Sequence, residues 1–161
     1  GAILNAGGNV VTIGSKSDGS AWRVGVQMPA DLSDSTLAVL ELNGSHAIVT
    51  SGDYQRYYEA DGERYAHIID PLTLYPPRYC RAVTVVCDDS TMADCISTTL
   101  FTLSYEGGLQ YLDVLEEQGI HAQALWVFDE SEDIPQSEHT FTSQGYTIIT
   151  TEALYEAVQI S

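Results

Sequence analysis

The sequence predicts an α+β fold, a mostly antiparallel sheet with helices packed on one face. Three observations carry that expectation. Apolar stretches of strand length predominate, tight turns join many of them, and helical spacing is confined mainly to one block beginning near Ser90. No internal repeat interrupts this order, and 161 residues with 44% hydrophobic content suffice for one core, so the expected unit is a single domain over 1–161.

Ala2–Leu4 and Val10–Ile13 read as short strands around Asn5-Ala6-Gly7-Gly8-Asn9, where paired glycines permit positive φ. Ser15–Ser20 reads as a loop. Trp22–Gln27 alternates and stops before Pro29, and Leu37–Leu42 and His46–Thr50 form strands divided by Asn43-Gly44-Ser45. Tyr54–Glu59 and Arg64–Ile69 form an aromatic hairpin about Asp61-Gly62. Three prolines stiffen Asp70–Pro77, and Ala82–Cys87 is a buried strand. From Ser90 or Thr91, the spacing of Met92, Cys95, Ile96, Thr99, Leu100 and Leu103 predicts an apolar helix face. A break at Gly107-Gly108, a helix over Leu109–Gln118 and a stop at Gly119 follow. Ala122–Phe128 is then a strand, Asp129–Asp133 a solvated acidic loop, Thr140–Ile149 a hairpin about Gln144-Gly145, and Thr151–Val158 a short helix.

Charge restricts the partners. Six Lys and Arg against 23 Asp and Glu give a net charge of −17, a field that repels nucleic-acid phosphates and anionic membrane surfaces. A phosphate ligand meets the same repulsion, so its site calls for backbone N–H groups or a cation in place of a basic cluster. Cys80, Cys87 and Cys95 lack C-x-x-C spacing and read as small core residues rather than a disulfide framework or zinc cage. No apolar run approaches the roughly 20 residues of a membrane-spanning helix.

Several constellations offer chemistry. Asp94 and Thr98 lie four residues apart on a helix, so both oxygens project from one face, as Mg²⁺ ligands can. The alternative is a capping box, Thr91-x-x-Asp94, with Asp94 closing the helix start. His67 and Asp70 emerge from a strand into the proline-stiffened loop and are candidates for acid, base or orienting roles. Their alternative is a surface His beside an Asx turn. The Gly7-Gly8 turn and Thr50-Ser51-Gly52-Asp53-Tyr54 could cradle a pyrophosphate through main-chain N–H groups, or serve as ordinary turns. The tyrosines of the Tyr54–Tyr65 region read as cross-strand packing.

Taken in order, these segments resemble the ApbE family, the FAD:protein FMN transferases once labelled thiamine-biosynthesis lipoproteins. The resemblance runs through Asn5-Ala6-Gly7-Gly8-Asn9, Trp22-Arg23-Val24-Gly25-Val26, Thr50-Ser51-Gly52-Asp53-Tyr54, His67-Ile68-Ile69-Asp70-Pro71 and Ala93-Asp94-x-x-Ser97-Thr98. It covers the C-terminal portion of such an enzyme, with the N-terminal half expected to lie outside this chain.

The resemblance implies Mg²⁺-dependent transfer of FMN from FAD, the substrate, to a threonine hydroxyl of a target flavoprotein, with release of AMP. It implies Asp94 and Thr98 as metal ligands, His67 and the main chain near Ile69 against FAD, and Ser51, Gly52, Gly7 and Gly8 bordering it. His67, Asp70 and a metal-bound oxygen stand as candidates for the proton acceptor. A metal-dependent FAD pyrophosphatase and a non-catalytic flavin-binding module are the alternatives. The family setting implies an extracytoplasmic protein tethered through a lipid anchor outside this sequence. One position departs from the family's D-P-x-T-G pattern, since Leu74 follows Asp70-Pro71-Leu72-Thr73. A leucine reaches positive φ only at a cost, so a reshaped loop is expected.

Overall fold

The computed structural model describes residues 1–30, 35–130 and 134–160. The acidic loop expected at Asp129–Asp133 falls largely outside them. Twelve strands and three helices form among the described residues. The strands are β1 (Ala2–Ala6), β2 (Asn9–Ile13), β3 (Trp22–Gln27), β4 (Thr36–Leu42), β5 (His46–Gly52), β6 (Tyr57–Ala60), β7 (Glu63–Ala66) and β8 (Ala82–Cys87). Then come α1 (Ser90–Phe101), α2 (Tyr105–Glu117), β9 (Ala122–Asp129), β10 (Thr140–Ser143), β11 (Tyr146–Thr150), α3 (Glu152–Tyr155) and β12 (Val158–Ile160).

A seven-stranded sheet runs β1-β2-β5-β8-β9-β11-β10, with every pairing antiparallel. Its central strands are buried on both faces, which explains the near-continuous apolar runs of β8 and β9. On one face, Val49, Val83, Val85, Ala124 and Trp126 pack with Ile96, Leu100 and Phe101 of α1 and Leu112 and Leu115 of α2. On the other, Ile48, Val86, Leu125 and Val127 meet Val24, Val26, Leu37, Leu40 and Val158. Those last residues belong to a second sheet, ordered β12-β4-β3, which the sequence did not reveal as a separate layer. The expected antiparallel sheet is present with α1 and α2 on one face, and the second sheet covers the opposite face together with Leu154 of α3.

Turn chemistry fixes the hairpins. Asp61 and Gly62 between β6 and β7, and Gln144 and Gly145 between β10 and β11, all hold positive φ, as two-residue hairpin turns require. The β6–β7 strands are shorter than expected: Tyr54 is buried outside them, and His67–Ile69 follow them as loop.

Three local expectations are corrected. Gly107-Gly108 does not break the helices. The break lies at Thr102–Ser104, where Ser104 Oγ accepts the Gly107 N–H at 3.2 Å and caps α2. A Cβ on Gly108 would lie 3.2 Å from both Leu100 and Trp126, so glycine there permits close packing. The apolar stripe of α1 is rotated from the expected phase: Ala93, Ile96, Ser97, Leu100 and Phe101 are buried, whereas Cys95 is exposed. Finally, only Glu152–Tyr155 of the expected Thr151–Val158 helix is helical, because Val158–Ile160 pairs with β4.

Candidate metal and phosphate site

The N-terminus of α1 is closed by Asp89, whose Oδ1 accepts the Met92 N–H at 2.8 Å. The capping role considered for Asp94 therefore belongs to Asp89. Asp94 lies further along, exposed, and its carboxylate has no hydrogen bond or ion pair among the described residues. Thr98 follows one helical turn later, also exposed. Helix α1 packs over β5 and β8, which brings Thr98 to the end of β5. There Ser51 Oγ stands 3.2 Å from Thr98 Oγ1 and 2.9 Å from Ser97 Oγ.

The next residue, Gly52, has no room for a side chain. A Cβ there would lie 2.7 Å from Tyr54 Cε1 and 3.0 Å from the Arg81 carbonyl oxygen. Beyond it, Arg81 binds Asp53 at 2.8 Å and Asp129 at 2.7 Å, and it donates to the Pro29 carbonyl at 3.1 Å. This network ties the ends of β5, β8 and β9 to the segment after β3. Burial raises the Asp53 carboxyl above its ordinary pKa of 3.8, with Arg81 opposing that shift. Burial also works against the Arg81 charge, but the hydrogen bond to Asp129 and the Asp53 charge outweigh it and raise its pKa.

The loop after β7 fixes His67 and Asp70 differently. His67 is exposed, its backbone N–H donates to the Arg56 carbonyl at 3.0 Å, and its Nδ1 lies 3.1 Å from the same oxygen. A carbonyl only accepts, so Nδ1 carries a proton, and in the neutral ring the lone pair is then on Nε2. Asp70 is buried, and its two carboxylate oxygens accept from the Leu72 N–H at 2.8 Å and the Thr73 hydroxyl at 3.0 Å. Its carboxylate thus organises an Asx turn. Ile69 is exposed, while Ile68 packs on the helix-side core and holds this loop to that face of the sheet. A cavity of about 480 Å³ lined by Tyr65, Asp70, Thr73, Tyr75 and Tyr79 opens beside the loop.

Leu74 adopts the left-handed conformation itself, with φ 62°. The Gly7-Gly8 turn joins β1 to β2 with φ of 65° and 101°, and Asn5 Oδ1 accepts the Gly8 N–H at 3.1 Å. A Cβ on either glycine would meet open space, so positive φ, not crowding, selects glycine there. The β2–β5 register sets this turn at the same sheet end as Thr50–Gly52. No hydrogen bond joins His67 or Asp70 to Asp94 or Thr98 among the described residues.

The donor set suits a hard cation that keeps much of its water. One carboxylate and one hydroxyl on adjacent turns match the sparse protein ligation of Mg²⁺. No group of three or more His, Cys, Asp and Glu side chains suited to a metal ion occurs among the described residues. Ser97 and Arg81 were given no role by sequence reasoning. Ser97 had one visible signal, a hydroxyl spaced to fall on the buried stripe between Ala93 and Leu100.

Comparison with known proteins identifies relatives of this chain. The ApbE family model matches residues 1–124. An FAD:protein FMN transferase of Klebsiella pneumoniae (strain 342) is 39% identical over 119 residues, covering 73% of this chain and 33% of that protein. The Escherichia coli (strain K12) FAD:protein FMN transferase is 39% identical over 105 residues, 65% of this chain and 30% of that protein. The chain thus spans about a third of the length of the curated relatives it matches. Among solved structures, the ApbE protein of Thermotoga maritima superposes with a TM-score of 0.65 at 36% identity, covering 85% of this chain and 42% of that one. The flavin transferase ApbE of Vibrio cholerae gives 0.66 at 28% identity, covering 96% and 43%. With a family match across most of its length and the same fold in solved relatives, this chain belongs to the ApbE family.

Proposed function

We propose that the protein containing this chain is a Mg²⁺-dependent FAD:protein FMN transferase that moves FMN to a threonine hydroxyl of a target flavoprotein and releases AMP. The observation that carries the proposal is the pairing of the exposed Asp94 carboxylate and Thr98 hydroxyl on adjacent turns of α1, in a chain of this family. These two side chains would hold the cation. The chemistry a bound Mg²⁺ would supply is charge neutralisation at the pyrophosphate oxygens. That suits a chain of net charge −17, in which phosphates otherwise meet repulsion.

The remaining residues bind, orient and accept a proton. The threonine oxygen bonds to the FMN phosphorus, the pyrophosphate P–O bond breaks, and AMP leaves with the bridging oxygen. The hydroxyl proton passes to Nε2 of His67, the nitrogen left free by the Nδ1 contact with Arg56. Asp70 has both carboxylate oxygens engaged in its turn, so its part is to hold the loop that carries His67 and Ile69. Ser51, Gly52 and the Gly7-Gly8 turn border FAD at one end of the sheet.

The test uses the full-length protein with FAD, Mg²⁺ and a flavoprotein bearing the acceptor threonine. Flavin fluorescence on the denatured acceptor, equimolar with AMP, is expected, and both are lost in Asp94→Asn. Free FMN and AMP without a labelled acceptor overturns transfer in favour of hydrolysis.

A further inference from the structure

Three hydroxyls meet where α1 lies on the end of β5, and one direction of donation satisfies all their contacts together. Ser97 Oγ donates to the main-chain carbonyl of Asp94 at 3.1 Å. A hydroxyl has one proton, so at the 2.9 Å contact between Ser97 and Ser51 the donor is Ser51. Ser51 has then spent its own proton, so at the 3.2 Å contact with Thr98 the donor is Thr98. The chain of donation runs Thr98 to Ser51 to Ser97 to the Asp94 carbonyl. It starts on one proposed cation ligand and ends on the main chain of the other.

We infer that Ser51 and Ser97 are positioning residues that turn the Thr98 hydroxyl proton inward and leave its oxygen lone pairs for a cation held with Asp94. The inference rests on the reading of Asp94 and Thr98 as cation ligands. A cation needs lone pairs and is repelled by an outward hydroxyl proton, so the orientation of one O–H bond matters. Ser97 is fully buried in the helix–sheet interface, where burying a hydroxyl carries a desolvation penalty and adds little packing over alanine. The relay accounts for a serine on an otherwise apolar stripe.

Removing the relay has a definite consequence. Without Ser97, the Ser51 hydroxyl loses its acceptor and turns its proton onto Thr98 Oγ1, which takes up a lone pair and releases the Thr98 proton outward. Side chains that orient metal ligands change affinity on the order of tenfold or more when removed.

Mn²⁺ binding to this chain, followed by loss of the free-ion electron paramagnetic resonance signal, tests the inference. Asp94→Asn is expected to abolish binding and Ser97→Ala to weaken it about tenfold. Adding Ser97→Ala to Thr98→Ala is expected to change nothing further, because the effect passes through Thr98. Wild-type affinity in Ser97→Ala, with binding still lost in Asp94→Asn, overturns the relay and leaves the cation site standing. An equal loss in the Thr98→Ala background also overturns it, assigning Ser97 to the fold alone. Wild-type binding by Asp94→Asn removes the cation site and the relay together. If Ser97→Ala lacks a folded circular dichroism spectrum, Ser51→Ala takes its place with the same expected loss and the same contrary results.

Discussion

The Leu74 backbone N–H donates to the Asp70 carbonyl at 2.8 Å while Leu74 itself holds a φ of 62°. The turn is closed further by the Asp70 N–H on the Tyr75 carbonyl at 3.0 Å and by both Asp70 carboxylate oxygens. These bonds over-determine the backbone, so the leucine takes a conformation that costs L-residues about 1–2 kcal/mol. The residue is 74% exposed and recovers little of that by burial. Leu74→Gly is therefore expected to keep the fold and gain up to about 1 kcal/mol in urea unfolding, while Leu74→Val loses a similar amount. Destabilisation by glycine contradicts this account of the loop.

Gly52 and Tyr54 make a second backbone constraint next to Ser51. Gly52→Ala forces a Cβ against a tyrosine ring and a main-chain oxygen, and overpacking of this kind costs about 1–3 kcal/mol. Tyr54→Leu is expected to relieve part of that loss, since the Arg81 carbonyl contact remains. Additive losses in the double variant, measured by chemical denaturation, count against the ring as the obstacle.

The raised Asp53 pKa has a signed consequence for stability. The folded protein binds that proton more tightly than the unfolded chain, whose carboxyl titrates near 3.8. The contribution is therefore fully present below 3.8 and is withdrawn as pH rises through the folded pKa. Asp53→Asn removes the titration, so the stability difference, wild type minus variant, is expected to shrink from about pH 3.5 to about pH 7. Paired urea titrations at the two pH values check it, and a difference that grows with pH contradicts it.

His67→Gln keeps a polar side chain but removes the Nε2 lone pair proposed to take the threonine proton. Turnover of AMP by the full-length protein is expected to fall by about 10²–10⁴-fold. FAD affinity measured by flavin fluorescence quenching should change far less. A loss confined to FAD affinity makes His67 a binding residue.

What the sequence made legible follows from locality. Asp61-Gly62, Gln144-Gly145 and Gly7-Gly8 announce their turns because two-residue hairpin loops need positive φ. The Asp94 and Thr98 pair is legible because helical spacing alone puts i and i+4 together. Features built by long-range pairing were not. Val158–Ile160 becomes a strand only because β4 offers an edge more than 100 residues earlier in the chain, as the Val158↔Leu40 register shows. The phase of α1 was misread because Cys95 and Met92 look as apolar as Ala93, while Ser97 looks polar. Ser97 enters the core because its hydroxyl finds a partner in Ser51, on another element. Leu74 holds a positive φ despite its cost to a leucine, and the Asp70 bonds explain why.

The placement of a cation at Asp94 and Thr98 is tested most directly by titrating Mn²⁺ into the ¹⁵N-labelled chain and following which amide signals broaden first. Paramagnetic broadening is expected to begin at Asp94, Cys95, Ser97 and Thr98 and to be lost from them in Asp94→Asn. Broadening that begins at other acidic positions, such as Glu116-Glu117 or Asp88-Asp89, and leaves residues 94–98 sharp would contradict the account.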